Sequence, residues 1–315
     1  MRWHVRRPSA ALILIISILM AGLAIAEPFD DATNAYFRGD YDTAYRLIQP
    51  LAEQGSPEAQ FNLGRMYENG QGVSQDYAEA VKWYRKAAEQ GHAKGQYHLG
   101  MMYKKGQGVP QDYSEAAKWY IKAAEQEIAS VQFNMGLMYG KGQGVPQDYA
   151  EAAKWYRKAA EQGHAEAQYS LGVLFGNGQG VPQDYYEAAK WYHKAAVQGI
   201  VSAQFNLGLM YDKRQGVTQD YAEAAKWYTK AAEQGYAEAQ TNLGLFFYTG
   251  LGVPKDNILA LMWLHLATSR YPASEKTKRE KAERLRDIAS SRMTPAQIAE
   301  AQRLARGWKP KTEPY

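Results

Sequence analysis

Residues 56–91 read SPEAQFNLGRMYENGQGVSQDYAEAVKWYRKAAEQG, and this phrase recurs in register down to residue 271. Ser56 suits a helix N-cap, and Pro57 suits the first helical position, where a missing N–H is no loss. Ala59, Leu63, Met66 and Tyr67 then return at helical spacing, which predicts a first helix ending near Glu68. Gly70 and Gly72 stop it, because glycine takes a left-handed backbone at low steric cost. Asp76 followed by Glu79 is a capping-box pattern that opens a second helix, ended by Gly91. Each repeat thus reads as a helix, a glycine-bearing loop of about eight residues, and a second helix.

The register is marked by Trp83, Trp119, Trp155, Trp191, Trp227 and Trp263, and by Gly64, Gly100, Gly136, Gly172, Gly208 and Gly244. A supersecondary unit of this size cannot bury its apolar face alone and stacks on copies of itself. Gly64 lies inside the first helix, where glycine costs roughly 1 kcal/mol relative to alanine. Its return in every repeat predicts close approach of a neighbouring helix, with Tyr67 and Trp83 or Tyr84 filling the space around the contact. In the second helix Tyr77, Ala80, Val81, Tyr84, Ala87 and Ala88 fall on one side. Glu79, Lys82, Lys86 and Glu89 fall on the other, predicting Glu79–Lys82 and Lys86–Glu89 pairs on a solvated face.

The string is nearly whole from Ala165 to Gly199, and it resembles the Sel1-like repeat, a relative of the tetratricopeptide repeat. The resemblance covers residues 56–271. It implies an all-α, right-handed α-solenoid superhelix of helix–loop–helix repeats, of a kind often exported from bacteria. It also implies adaptor roles in envelope biogenesis, signalling or host contact. Residues 27–55 resemble a partial repeat, with Gly39, Asp40, Tyr41 and Ala44 in phase. Four positions depart from the pattern. Glu127 replaces the glycine after the second helix, Arg214 replaces a loop glycine, and Ser74 and Thr218 replace the loop proline.

Both ends differ from the array. Residues 1–26 have a basic start (Arg2, Arg6, Arg7), an apolar stretch from Ala10 to Leu23, and Ala24-Ile25-Ala26 before Glu27. This is the pattern of a cleaved export signal, with an uncleaved anchor as the alternative. The expected location is therefore periplasmic or secreted, with no membrane span once the signal is removed. At the other end Ile258–Ala267 is apolar nearly all round and must be covered. Residues 272–315 supply the cover as a capping hairpin and tail, with Thr294-Pro295 and Gln297 opening a last helix that ends at Trp308.

Composition narrows the chemistry. The chain has no cysteine, hence no disulfide, thiol nucleophile or thiolate metal site. The formal charge of +4 falls to +1 without Arg2, Arg6 and Arg7, which is no footprint for nucleic acid. Residues 270–315 hold 12 basic and 6 acidic groups, against 22 and 27 over 27–269. No histidine pair has His-x-x-x-His spacing, so no metal or other cofactor is expected. Some exported proteins resembling this family are described as β-lactamase-like, but those are cysteine-rich. The Ser-x-x-Lys and Lys-Thr-Gly strings of such chemistry do not occur here. No catalytic residue is assigned.

One stripe remains for function. Phe61, Tyr97, Phe133, Tyr169 and Phe205 recur on the first helices, and Met101, Leu137 and Leu209 lie one turn further on. They project opposite the core. Either they line a groove on the concave side that takes a protein or peptide partner, or the first helices are buried on both sides. The recurring Gln60, Gln96, Gln132, Gln168, Gln204 and Gln240, with Asn62, Asn134, Asn206 and Asn242, are expected to bridge backbone groups between repeats. The expected function is a non-enzymatic envelope scaffold. An envelope hydrolase, a membrane-anchored regulator and an envelope glycan as ligand are the alternatives.

Overall fold

The structure is a computed structural model in which residues 29–311 are described; the expected export signal lies outside them. Every regular element among the described residues is helical. A helix over residues 29–37 (α1) is followed by α2 (Tyr41–Glu53), and then by six helix pairs. These are α3 (Pro57–Asn69) and α4 (Tyr77–Glu89), α5 (Ala93–Lys105) and α6 (Tyr113–Ala124), and α7 (Ala129–Lys141) and α8 (Tyr149–Glu161). The rest are α9 (Ala165–Asn177) and α10 (Tyr185–Val197), α11 (Val201–Lys213) and α12 (Tyr221–Glu233), and α13 (Ala237–Thr249) and α14 (Asn257–Arg270). A 3₁₀ turn, Ala273–Glu275, leads into α15 (Lys276–Ser290) and α16 (Pro295–Gly307). The chain forms two compact units, one ending at Gln147 and the other beginning at Asp148.

Local chemistry sets each boundary. The Ser56 hydroxyl accepts from the Ala59 N–H at 3.3 Å. His92 and His164 do the same work for α5 and α9, their Nδ1 atoms accepting from Gly95 N (3.0 Å) and Ala167 N (3.3 Å). At the second helices Asp76 accepts from Ala78 N (2.8 Å) and Glu79 N (3.0 Å). The capping box expected there is only half made. The Asp76 N–H donates instead to Tyr67 O at 2.9 Å, pinning the loop to the first helix, and Glu79 turns to Lys82. A reciprocal box does form between Thr294 and Gln297. The expected Lys86–Glu89 pair gives way to a better site: Lys86 Nζ stands 4.0 Å from the Trp83 ring centroid. Lys122, Lys158, Lys194 and Lys230 sit over Trp119, Trp155, Trp191 and Trp227 in the same way. Trp191 and Trp227 are buried and the other three half-buried, and a lysine over an indole gains roughly 0.5–2 kcal/mol.

Two glycines of each repeat are explained by what surrounds them. A Cβ on Gly64 would stand 2.7 Å from the Tyr84 ring and 3.2 Å from Ala80 O, so the partner within the helix pair is Tyr84. Gly72 serves the next level of packing. At φ +68°, a Cβ there would stand 2.2 Å from Tyr41 O, so this loop rests on the start of the preceding repeat's second helix. Arg214 and Glu127, which replace glycines, keep the left-handed backbone at φ 56° and 60°.

The ends close the stack. Beyond the half-repeat read from the sequence, α1 completes a hairpin with α2 through a tight turn in which Asp40 N donates to Ala35 O at 3.0 Å. At the other end α15 and α16 both pack on α14, whose Leu261, Met262, Trp263, Leu264 and Leu266 are buried. Trp308 meets Trp263 edge-on, with centroids 6.1 Å apart.

Candidate docking surface

Within each unit the first helices present their second stripe half-covered. Tyr97, Met101, Phe133, Leu137, Tyr169, Phe205 and Leu209 are each half-buried. The rings are held from one side by the tyrosine of the same repeat's second helix. Centroid separations are 5.6 Å for Tyr97–Tyr120, 5.8 Å for Tyr169–Tyr192 and 5.8 Å for Phe205–Tyr228. Phe61 departs from the expectation of an exposed anchor, because it is only 6% exposed. Its ring is enclosed by Tyr84 (5.8 Å), His92 (5.0 Å) and His98 (5.2 Å).

The repeated glutamines are structural bridges. Gln60 Nε2 donates to Ala52 O at 3.1 Å, and its Oε1 accepts from Gln90 Nε2 at 2.7 Å, which also reaches Gly55 O. Gln96 with Gln126, Gln168 with Gln198 and Gln204 with Gln234 repeat the bridge. In the last repeat Arg270 takes the second glutamine's place and turns onto the Trp308 ring at 4.3 Å. Gln240 Oε1 is then buried without a hydrogen-bond partner.

The buried tyrosines beneath the stripe each resolve their hydroxyl differently. Tyr84 donates to Glu68 Oε2 at 2.5 Å, with His98 Nδ1 3.4 Å from the same oxygen. Burial pushes the Glu68 carboxyl up, but the nearby His98 imidazole and the Tyr84 hydrogen bond outweigh it and hold it below the usual range. Tyr228 donates to Asp212 at 3.3 Å and interacts with Asn242, while Tyr192 interacts with Asn206 and Tyr156 with Ser170. Burial drives all of these phenols above their ordinary value. They are fixed donors, not acids at work near neutrality.

Lys104, Lys105 and Lys141, in the last turns of α5 and α7, lie just beyond Met101 and Leu137 on the same surface. Positions 68 and 69 lie one turn beyond the stripe at positions 61 and 65. Following it further shows Glu68 giving way to Lys104 and then Gly140, with Asn69 becoming Lys105 and Lys141. That change of charge was the available signal.

The comparisons with known proteins follow from this architecture. A family profile described as Sel1 repeat matches residues 57–92, 93–127, 129–164, 165–200, 201–236 and 237–270. The crystal structure of a Sel1 repeat protein from Oxalobacter formigenes is 36% identical, covers 76% of this chain and 96% of its own, and superposes with a TM-score of 0.65. A protective antigen of uropathogenic Escherichia coli, c5321, is 29% identical over 90% of this chain and 83% of its own, with a TM-score of 0.37. A sel1 repeat protein from Klebsiella pneumoniae subsp. pneumoniae is 22% identical over 62% and 95%, with a TM-score of 0.39. No curated protein matches the chain.

Proposed function

Because the chain belongs to the Sel1 repeat family, we propose that it is a non-enzymatic scaffold of the bacterial cell envelope that docks a protein or peptide partner on its first helices. The observation that carries this reading is the half-covered stripe. Tyr97, Tyr169 and Phe205 are braced on one side by buried tyrosines and keep part of their apolar surface toward solvent. Rings anchored in this way lose little side-chain entropy on binding, which favours them as contact residues. The export pattern of residues 1–26 supports an envelope location.

Photo-crosslinking tests the docking face. A photoreactive residue replacing Met101, Leu137 or Leu209 should capture one partner from the native envelope, and the same residue at Lys190 on the outer face should not. Equal capture from both faces would refute the assignment. N-terminal sequencing of the exported chain tests the location, with Glu27 as the expected first residue.

A further inference from the structure

The second repeat breaks a pattern that its neighbours satisfy. In the first repeat the buried tyrosine donates to Glu68, and in the fifth its counterpart donates to Asp212. The residue at that position in the second repeat is Lys104. Tyr120, the tyrosine concerned, is fully buried, and its hydroxyl has no hydrogen-bond partner. The asparagine of the next first helix, whose counterparts interact with Tyr192 and Tyr228, does not serve Tyr120 either. Asn134 donates instead to Ser130 O at 2.8 Å and to Tyr97 Oη at 3.4 Å. A buried hydroxyl with no acceptor is unfavourable, and native structures rarely leave one.

Three cations share this corner without an anion of their own. Among the described residues Lys104, Lys105 and Lys141 form no ion pair, and Glu68, whose charge Lys105 feels, is already held by Tyr84 and His98. Lysines in a last turn suit the helix dipole, but the dipole is served equally well by side chains extended into water. Lys104 is instead half-buried, and burial, then the charges of Lys141 and Lys105, hold its ammonium below the ordinary value. Met101 precedes Lys104 and Lys105 by one helical turn, and Leu137 precedes Lys141 by one, so apolar and cationic groups share a face.

We infer that this corner of the α5–α7 face receives an acidic side chain of the partner, whose carboxylate neutralises Lys104 and its two neighbours and, as the Lys104 side chain swings out to meet it, accepts from the Tyr120 hydroxyl, which is covered in the free protein. An adjoining apolar side chain of the same segment lies on Met101 and Leu137. The partner's carboxylate thus does for the second repeat what Glu68, a carboxylate of the chain's own first helix, does for the first. The inference rests on the docking reading above and specifies the chemistry of what docks.

Fluorescence anisotropy on the full exported chain tests it, with two labelled hexapeptides, one alternating Leu and Glu and the other alternating Leu and Gln. The acidic peptide should bind about tenfold more tightly, an advantage that shrinks at about 0.3 M salt. Lys104→Glu, which restores an internal acceptor, should abolish the advantage, Tyr120→Phe should reduce it about threefold, and Lys226→Gln on the outer face should leave it intact. Should Lys104→Glu fail to fold by circular dichroism, the Lys104→Gln/Lys141→Gln double variant gives the same readout. Equal binding of both peptides, unchanged in these variants, overturns the acidic-anchor inference and leaves the docking face standing. No binding of either peptide, with crosslinking at Met101 and Leu137 intact, overturns it too. Loss of crosslinking as well removes the docking reading itself.

Discussion

Gly108 lies so close to Tyr77 that a Cβ added to it would stand 2.1 Å from the tyrosine's carbonyl oxygen. The loop of one repeat and the second helix of the repeat before it therefore meet backbone to backbone. The contact recurs at Gly72, Gly144, Gly180, Gly216 and Gly252, which makes it the joint of the array. Gly108→Ala must both open this joint and hold an L residue at φ +71°, and we expect a loss of at least about 3 kcal/mol. Gly91→Ala has positive φ but nothing within 4 Å, and should cost only about 1–2 kcal/mol. Urea melts of the two variants check the ordering; equal losses would mean that the joint carries no load.

Arg214 tests the same backbone requirement from the other side. It caps α11 at φ 56°, where its counterparts are glycines. Its side chain is exposed, so Arg214→Gly removes little packing and relieves the left-handed strain. We expect stabilisation by about 0.5–1 kcal/mol, read as a higher melting temperature.

The tyrosine hydroxyls should separate by partner. Tyr84→Phe deletes a hydrogen bond to a half-buried carboxylate and leaves Glu68 less satisfied, and we expect a loss of about 1–2 kcal/mol. Tyr120→Phe deletes a hydroxyl that has no partner in the free protein and should be neutral or stabilising there. Thermal melts of the unliganded variants decide this. A substantial loss at Tyr120 would reveal an acceptor the free protein already provides.

Acidification should weaken the array through its histidine caps. His92 and His164 accept backbone N–H bonds through Nδ1, a role open only to the neutral imidazole. Burial holds both below their ordinary value. For His92, Glu58 pushes the other way, while Lys94 and His98 add to the lowering. The unfolded chain then binds more protons, so this contribution is complete above about pH 6.5 and is lost as pH falls through the depressed folded values. A cap is worth about 1 kcal/mol. His164 should respond less, because Glu166 Oε2, 3.3 Å from its Nδ1, favours the charged form. The His92→Ser/His164→Ser variant, which copies Ser56, should lose less stability than the native chain between about pH 7.5 and about pH 5. Identical pH profiles would acquit the histidines.

Much of the fold was legible because its causes are local and repeated. Ser56-Pro57, the Gly70–Gly72 pair and Asp76 each act within one turn of backbone, and a single repeat displays them all. The Lys86–Glu89 pair was misread because spacing along a helix does not register the Trp83 face as a competitor. The stripe was only half legible. Its residues are plain in the register, but whether a ring is covered depends on the helix opposite and the repeat alongside, as Phe61 and Tyr97 show by ending in different environments.

By itself, the sequence determined the length of the repeat, the kinds of element in it and the places where they start and stop. Capping, left-handed turns and amphipathic spacing are decided by neighbours along the chain. Only the tertiary structure decided which polar groups are left over. Whether the Tyr120 hydroxyl has an acceptor, and whether Lys104 has a counter-charge, depends on side chains brought in from adjacent helices. Desolvation and hydrogen bonding act across those contacts, at distances that spacing along the chain does not encode.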